Sequence, residues 1–215
     1  MYNPKKIYNT YIKRIIGMII SIFLAIILSP IFLIISIAVK IDEPSSTIIF
    51  KQLRMGYNAK PFVIYKFRSM TRTAPSNVAT IDLDIDHNYS SKLGKFIRIT
   101  SLDELPQLIN VIKGDMSIVG PRPVILEESE LINKRIENGI YNVRPGVTGY
   151  AQTEGRDEVE IDEKVKCDKF YVENVSFFLD MKILLKTLPV VILRKGNKDF
   201  DKIKRDKGIG EQLKR

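Results

Sequence analysis

The chain opens on its strongest pattern. From Ile15 to Val39 there are 25 consecutive residues without a charge, rich in Ile, Leu and Phe. As one helix this run would be about 37 Å long, more than the roughly 30 Å of a bilayer's hydrocarbon core. It exceeds the apolar core of a secretory signal, and Lys40-Ile41-Asp42-Glu43-Pro44 after it holds no small-residue cleavage site. Hydropathy alone therefore reads a single transmembrane span. Ser29-Pro30 in its middle pulls the other way, because proline removes a backbone donor and crowds the preceding turn. Broken there, the arms 15–28 and 30–39 would be about 21 and 15 Å long, and neither would cross alone. Basic residues flank both ends, Lys13 and Arg14 before and Lys40, Lys51 and Arg54 after. That balance suits a hairpin with both ends on the cytoplasmic side. The segment is a membrane anchor, spanning or re-entrant.

Beyond it the periods change. Thr47–Gln52 and Phe62–Phe67 are β-branched and aromatic runs around a Gly/Asn/Pro turn at 54–61, which predicts a hairpin. Residues 71–91 are polar and read as a loop. Leu102, Leu105, Leu108, Ile109 and Ile112 recur at helical spacing, with Gly114 as a stop. Ser117-Ile118-Val119 leads into the rigid turn Gly120-Pro121-Arg122-Pro123. Charged helices are expected over about 124–138 and 157–173, with loop or strand at 142–149. Phe177–Leu193 is apolar but interrupted by Asp180, Lys182, Lys186 and Pro189, a mixture suiting an interface-lying or core helix. The fold class is α/β, mostly helical with a small β-hairpin. Three parts are expected: a membrane segment 1–41, a globular domain 42–195 and a basic tail 196–215.

Charge sharpens this division. The formal net charge is +9, yet residues 1–60 carry eight basic and two acidic side chains, and 182–215 carry eleven and four. The centre is therefore net acidic, which argues for two basic ends at an anionic surface and against a nucleic-acid coat. One cysteine, Cys167, allows no internal disulfide, and one histidine, His87, excludes a two-histidine metal site. No glycine-rich nucleotide loop is present.

Two signals carry chemistry. In Thr100-Ser101-Leu102-Asp103-Glu104-Leu105-Pro106, Ser101 and Glu104 have capping-box spacing, the ordinary structural reading. The same geometry places Asp103 and Glu104 where an ionised Asp could attack phosphorus and a Glu hold a divalent cation. Second, Arg98, Arg122, Arg144 and Arg156 each stand near Gly/Pro turns, a context for bidentate phosphate contacts. Asp82-Leu83-Asp84-Ile85-Asp86 has a metal-binding DxD look, but an acidic alternation in a polar loop is more often simply solvated.

These segments, in this order, resemble the bacterial sugar transferase family, the monotopic phosphoglycosyl transferases. The likeness runs from Lys13-Arg14 through Ser29-Pro30, Arg54-x-Gly56, Tyr65-Lys66-Phe67-Arg68-Ser69-Met70 and Thr100–Leu108. It continues through Lys113–Pro123 and Val143-Arg144-Pro145-Gly146-Val147-Thr148-Gly149. The resemblance implies that Ser29-Pro30 makes a re-entrant hairpin, entered at Lys13-Arg14, on the cytoplasmic face of a bacterial membrane. A catalytic domain with interfacial amphipathic helices would follow. It implies Asp103 as the nucleophile of a covalent phospho-sugar intermediate and Glu104 as a ligand of Mg²⁺. Lys66, Arg68, Arg98, Pro121, Arg122, Pro123 and Arg144 would form the phosphate and nucleotide site. The implied substrates are a UDP-sugar and polyprenyl (undecaprenyl) phosphate at the inner leaflet, with UMP released as the first membrane step of surface-glycan assembly, and downstream glycosyltransferases as partners. Gly17 stands where the family often has Asp, and Tyr150 where it often has Trp. The rival reading is a non-catalytic membrane-surface module, in which Asp103 and Glu104 merely cap a helix.

Overall fold

The computed structural model describes residues 7–74, 89–154 and 160–193. The acidic run at 82–86, His87, Arg156 and the basic tail lie outside these.

A π-helical turn, Tyr8–Ile12, runs into α1, Lys13–Ile27; Leu28 breaks the helix (φ −85°, ψ 1°) and α2, Ser29–Asp42, follows. The break falls where the sequence places it. Pro30 occupies the first turn of α2, where its missing N–H costs nothing, and Ser29 Oγ donates to Ile26 O at 2.7 Å. The first arm is longer than expected. Helix continues back through Lys13 and Arg14, so Tyr8–Ile27 is long and apolar enough to cross a membrane by length and composition. Lys13 and Arg14 do not end the helix because both charges are met by the globular part.

The hairpin is β1, Ile49–Met55, and β2, Pro61–Phe67, antiparallel with Ile49 opposite Phe67 and Met55 opposite Pro61. Asn110 fills the outer edge of β2: its amide donates to Val63 O (2.6 Å) and its carbonyl accepts from Tyr65 N (3.0 Å). This fully buried side chain substitutes for a third strand and fixes the register that aims Lys66.

Next come α3, Lys92–Ile99, a 3₁₀ turn, Leu102–Glu104, and α4, Gln107–Lys113. The periodic stretch 102–112 is thus two elements, because Pro106 has no N–H with which to continue the turn. Gly114 ends α4 in the left-handed region (φ 94°), as the sequence predicts. Then follow β3, Ser117–Val119, α5, Ser129–Glu137, β4, Gly146–Thr148, and α6, Tyr150–Thr153. The chain closes with α7, Ile161–Asn174, and α8, Phe177–Leu193. β3 and β4 pair in parallel so tightly that a Cβ on Gly146 would lie 2.1 Å from Gly120 N.

Among the described residues, four apolar clusters hold these elements together. One joins Val119 of β3 to Tyr171 of α7 and Ile183 of α8, and another joins Ile35 and Val39 of α2 to Phe67 and Ile97. The inner face of α2 is thus packed on the globular part. α1 lies on α4, where a Cβ on Gly17 would make ordinary contact with Val111 and Ile118. An acidic side chain in place of Gly17 would there face apolar neighbours. On α8, Asp180 and Ile183 are buried, while Phe178, Met181 and Leu185 are exposed beside Lys182 and Lys186.

Candidate active site

Asp103 and Glu104 lie on the 3₁₀ turn, preceded by Ser101 in the left-handed region at φ 55°. The capping-box reading does not hold. Ser101 makes no side-chain cap bond, and the Glu104 carboxylate turns instead to two cations. Lys66 Nζ lies 2.8 Å and Arg122 Nη2 2.9 Å from Glu104 Oε1. β2, the 3₁₀ turn and the Gly120–Pro123 turn thus converge on one carboxylate.

The two carboxyls are driven apart. Burial pushes Asp103 up to about 6, and the charge of Glu104 adds to it, against the opposing pull of Lys66, Arg98 and Arg122. Burial acts on Glu104 in the same direction, but the charges and hydrogen bonds of Arg122 and Lys66 outweigh it. They hold its carboxyl well below the usual carboxylate range. At neutral pH Glu104 is firmly ionised, whereas Asp103 is a buried carboxylate near its titration point, with an oxygen of raised basicity.

Arg98, in the last turn of α3, adds its charge to this field and donates to Ser90 Oγ at 3.4 Å. Pro121 and Pro123 have no N–H to offer a phosphate. Pro121 O accepts from Gly146 N (3.0 Å), and Pro123 O from Arg54 Nη1 (3.4 Å), so both act as the rigid frame of Arg122. Two predicted residues face elsewhere. Arg68 binds the Thr47 carbonyl and hydroxyl, each at 2.9 Å, and its guanidinium lies over Phe50. Arg144 donates to Gly114 O (3.0 Å) and stacks over Tyr57 at 4.9 Å.

The four hairpin residues divide into two pairs. Ser29 and Pro30 sit at the break. Lys13, only 8% exposed, pairs with Asp180 Oδ2 at 2.7 Å and also donates to Tyr171 Oη, within a cluster that includes Tyr8. Arg14 donates to the Val111 and Ile112 carbonyls at the C-terminus of α4. These cations tie the arm to the globular part.

The sequence reading missed Arg135 and Asp168. They form a buried pair at 2.6 Å, and Arg135 Nη1 holds the Arg122 carbonyl at 2.8 Å. Both stand in charged helical stretches, where only three-dimensional proximity distinguishes them from solvated charges.

Among the described residues, no group of three or more His, Cys, Asp or Glu can hold a metal ion. A magnesium ion here would take the ionised Glu104 carboxylate as its protein ligand and draw the rest from substrate phosphates and water.

The family model described as bacterial sugar transferase matches residues 8–194. An uncharacterised sugar transferase, EpsL, from Bacillus subtilis is 41% identical over 86% of this chain and 89% of its own length. The undecaprenyl-phosphate galactose phosphotransferase of Salmonella typhimurium is 37% identical over 90% of this chain. The UDP-glucose:undecaprenyl-phosphate glucose-1-phosphate transferase of Klebsiella pneumoniae is 37% identical over 86%. The matches span only 43% and 41% of the length of those two larger proteins.

Proposed function

The chain belongs to the bacterial sugar transferase family, and on that footing we propose that it transfers a sugar 1-phosphate from a UDP-sugar to undecaprenyl phosphate at the cytoplasmic face of the membrane. The observation that carries the reading is the pairing of a buried, basic Asp103 with a cation-bound Glu104 on one turn. Relatives named for phosphotransfer to undecaprenyl phosphate support it.

In the first step an Asp103 carboxylate oxygen attacks the sugar-bearing phosphorus. The bond from that phosphorus to the bridging oxygen breaks, and UMP leaves with the oxygen and the electron pair. An oxygen of the polyprenyl phosphate then attacks the same phosphorus. The acyl-phosphate P–O bond breaks, Asp103 regains its carboxylate, and polyprenyl-diphosphate-sugar departs. Two displacements let one buried carboxylate serve a soluble donor and a lipid acceptor in turn. Arg122 and Lys66 neutralise charge beside the reacting phosphorus, Arg98 contributes to the same field, and Glu104 orients both cations. Mg²⁺, held by Glu104 with the substrate phosphates, would supply further charge neutralisation.

The segment 1–41 serves as a re-entrant hairpin and 42–195 as the catalytic unit. The return of both arms to the globular part supports this: α1 docks through Lys13, Arg14 and Gly17, α2 through Ile35 and Val39, and the break at Leu28 lies between them. Exposed Phe23, Ile26, Leu33 and Ile34 flank the break, as a tip immersed in lipid requires. Downstream glycosyltransferases would consume the product.

The test is mass spectrometry of the chain mixed with a UDP-sugar and no acceptor. A phospho-sugar adduct on Asp103 and one equivalent of UMP are expected. Asp103→Asn should lose both and fall at least a thousandfold in turnover. Turnover near that of the unaltered protein would overturn the assignment.

A further inference from the structure

Lys66, Arg98, Asp103 and Glu104 each stand next in sequence to an apolar residue, respectively Phe67, Ile97, Leu102 and Leu105. All four of these belong to one cluster or pack against it. The same cluster contains Ile35 and Val39 of α2, which are 5% and 4% exposed. Phe32 of the same arm meets Phe67 edge-to-face, with ring centroids 5.5 Å apart. At the end of the arm, Asp42 accepts a 2.5 Å hydrogen bond from Ser91 Oγ. That hydroxyl also accepts from Gly94 N at 2.9 Å and so caps α3, the helix that carries Arg98. A lipid anchor needs only the other face of α2, where Leu33, Ile34 and Ile37 are exposed.

We propose that the second arm of the membrane hairpin is a positioning element of the catalytic site. Phe32, Ile35 and Val39, acting through Phe67, Ile97, Leu102 and Leu105, set the spacing of Lys66, Arg98, Asp103 and Glu104. The inference rests on the reading of Asp103 as nucleophile. It makes seating the arm and assembling the site one event. Close-packed interiors transmit a missing methylene to their neighbours, so loosening this floor shifts the groups above it.

The experiment uses the full chain in phosphatidylethanolamine–phosphatidylglycerol vesicles without polyprenyl phosphate. The vesicle-bound protein is mixed rapidly with whichever of UDP-glucose, UDP-galactose and UDP-N-acetylgalactosamine gives the largest UMP burst. Burst amplitude counts competent molecules, and the burst rate constant reports how well the site is set. Ile35→Ala and Val39→Ala should lower the rate constant tenfold or more at unchanged amplitude. Ile34→Ala and Ile37→Ala should keep it within twofold while weakening vesicle binding. If the alanine variants do not fold, Ile35→Val decides, with a drop of at least twofold expected. Folded inner-face variants that burst at the unaltered rate would overturn the proposal and leave the nucleophile standing. An unaltered chain that gives no burst at all would overturn both.

Discussion

Asp103 and Glu104 are neighbours in sequence and opposites in chemistry: among the described residues, Lys66 and Arg122 pair with Glu104, whereas burial dominates the setting of Asp103. A nucleophilic carboxylate acts in its ionised form, so activity should fall as pH drops through about 6, where Asp103 takes up its proton. Burst rates measured between pH 5 and 8 should show this acid limb, well above the range of an ordinary Asp; a limb near pH 4 would contradict the buried setting. Ser101 offers a second check. A capping serine would lose about 1 kcal/mol on substitution by alanine. With no cap bond present, Ser101→Ala should change the denaturation free energy by less than about 0.5 kcal/mol. The motif residues of the site could be named from the sequence, but their partners could not. Nothing local tells that Lys66 and Arg122 share an oxygen of Glu104 while Arg68 and Arg144 hold backbone carbonyls, since hydrogen-bond partners are set by chain segments tens of residues apart.

Among elements, α3 is the piece that the sequence reading left unassigned between a polar loop and the Asp-Glu turn. It is short and has near-equal polar and apolar faces, so its burial depends on what it meets. It meets the residues after β2 at Gly94, where a Cβ would lie 2.1 Å from Ser69 O. Gly94→Ala should therefore cost about 1–3 kcal/mol by overpacking and reduce transfer as well, since α3 carries Arg98. Thermal unfolding alongside a turnover assay checks both. The hairpin, the broken helix and α8 were legible because each carries a long pattern of one period. The parallel pair β3–β4 was not: three-residue strands carry no usable period, and their pairing depends on the close approach of Gly120 and Gly146.

For the whole molecule, the central question is whether the broken helix turns back. Tyr11 and Ile41, both exposed, lie near the two ends of the hairpin. In Tyr11→Cys and Ile41→Cys variants, a membrane-impermeant thiol reagent should label both positions from the cytoplasmic side only. A spanning helix would place them on opposite sides. Cys167 is buried and contributes little background.

By itself the sequence determined the long apolar segment, its breaking point, the family and the motifs that carry the candidate site residues. All of these are written in local runs and spacings. Only the tertiary structure decided that Lys13 and Arg14 dock the first arm instead of facing solvent. Only it decided that Glu104 binds cations instead of capping a helix, and that the second arm lies beneath the Asp-Glu turn. Those outcomes depend on burial and on charges brought together from distant segments, and burial is a property of the folded chain.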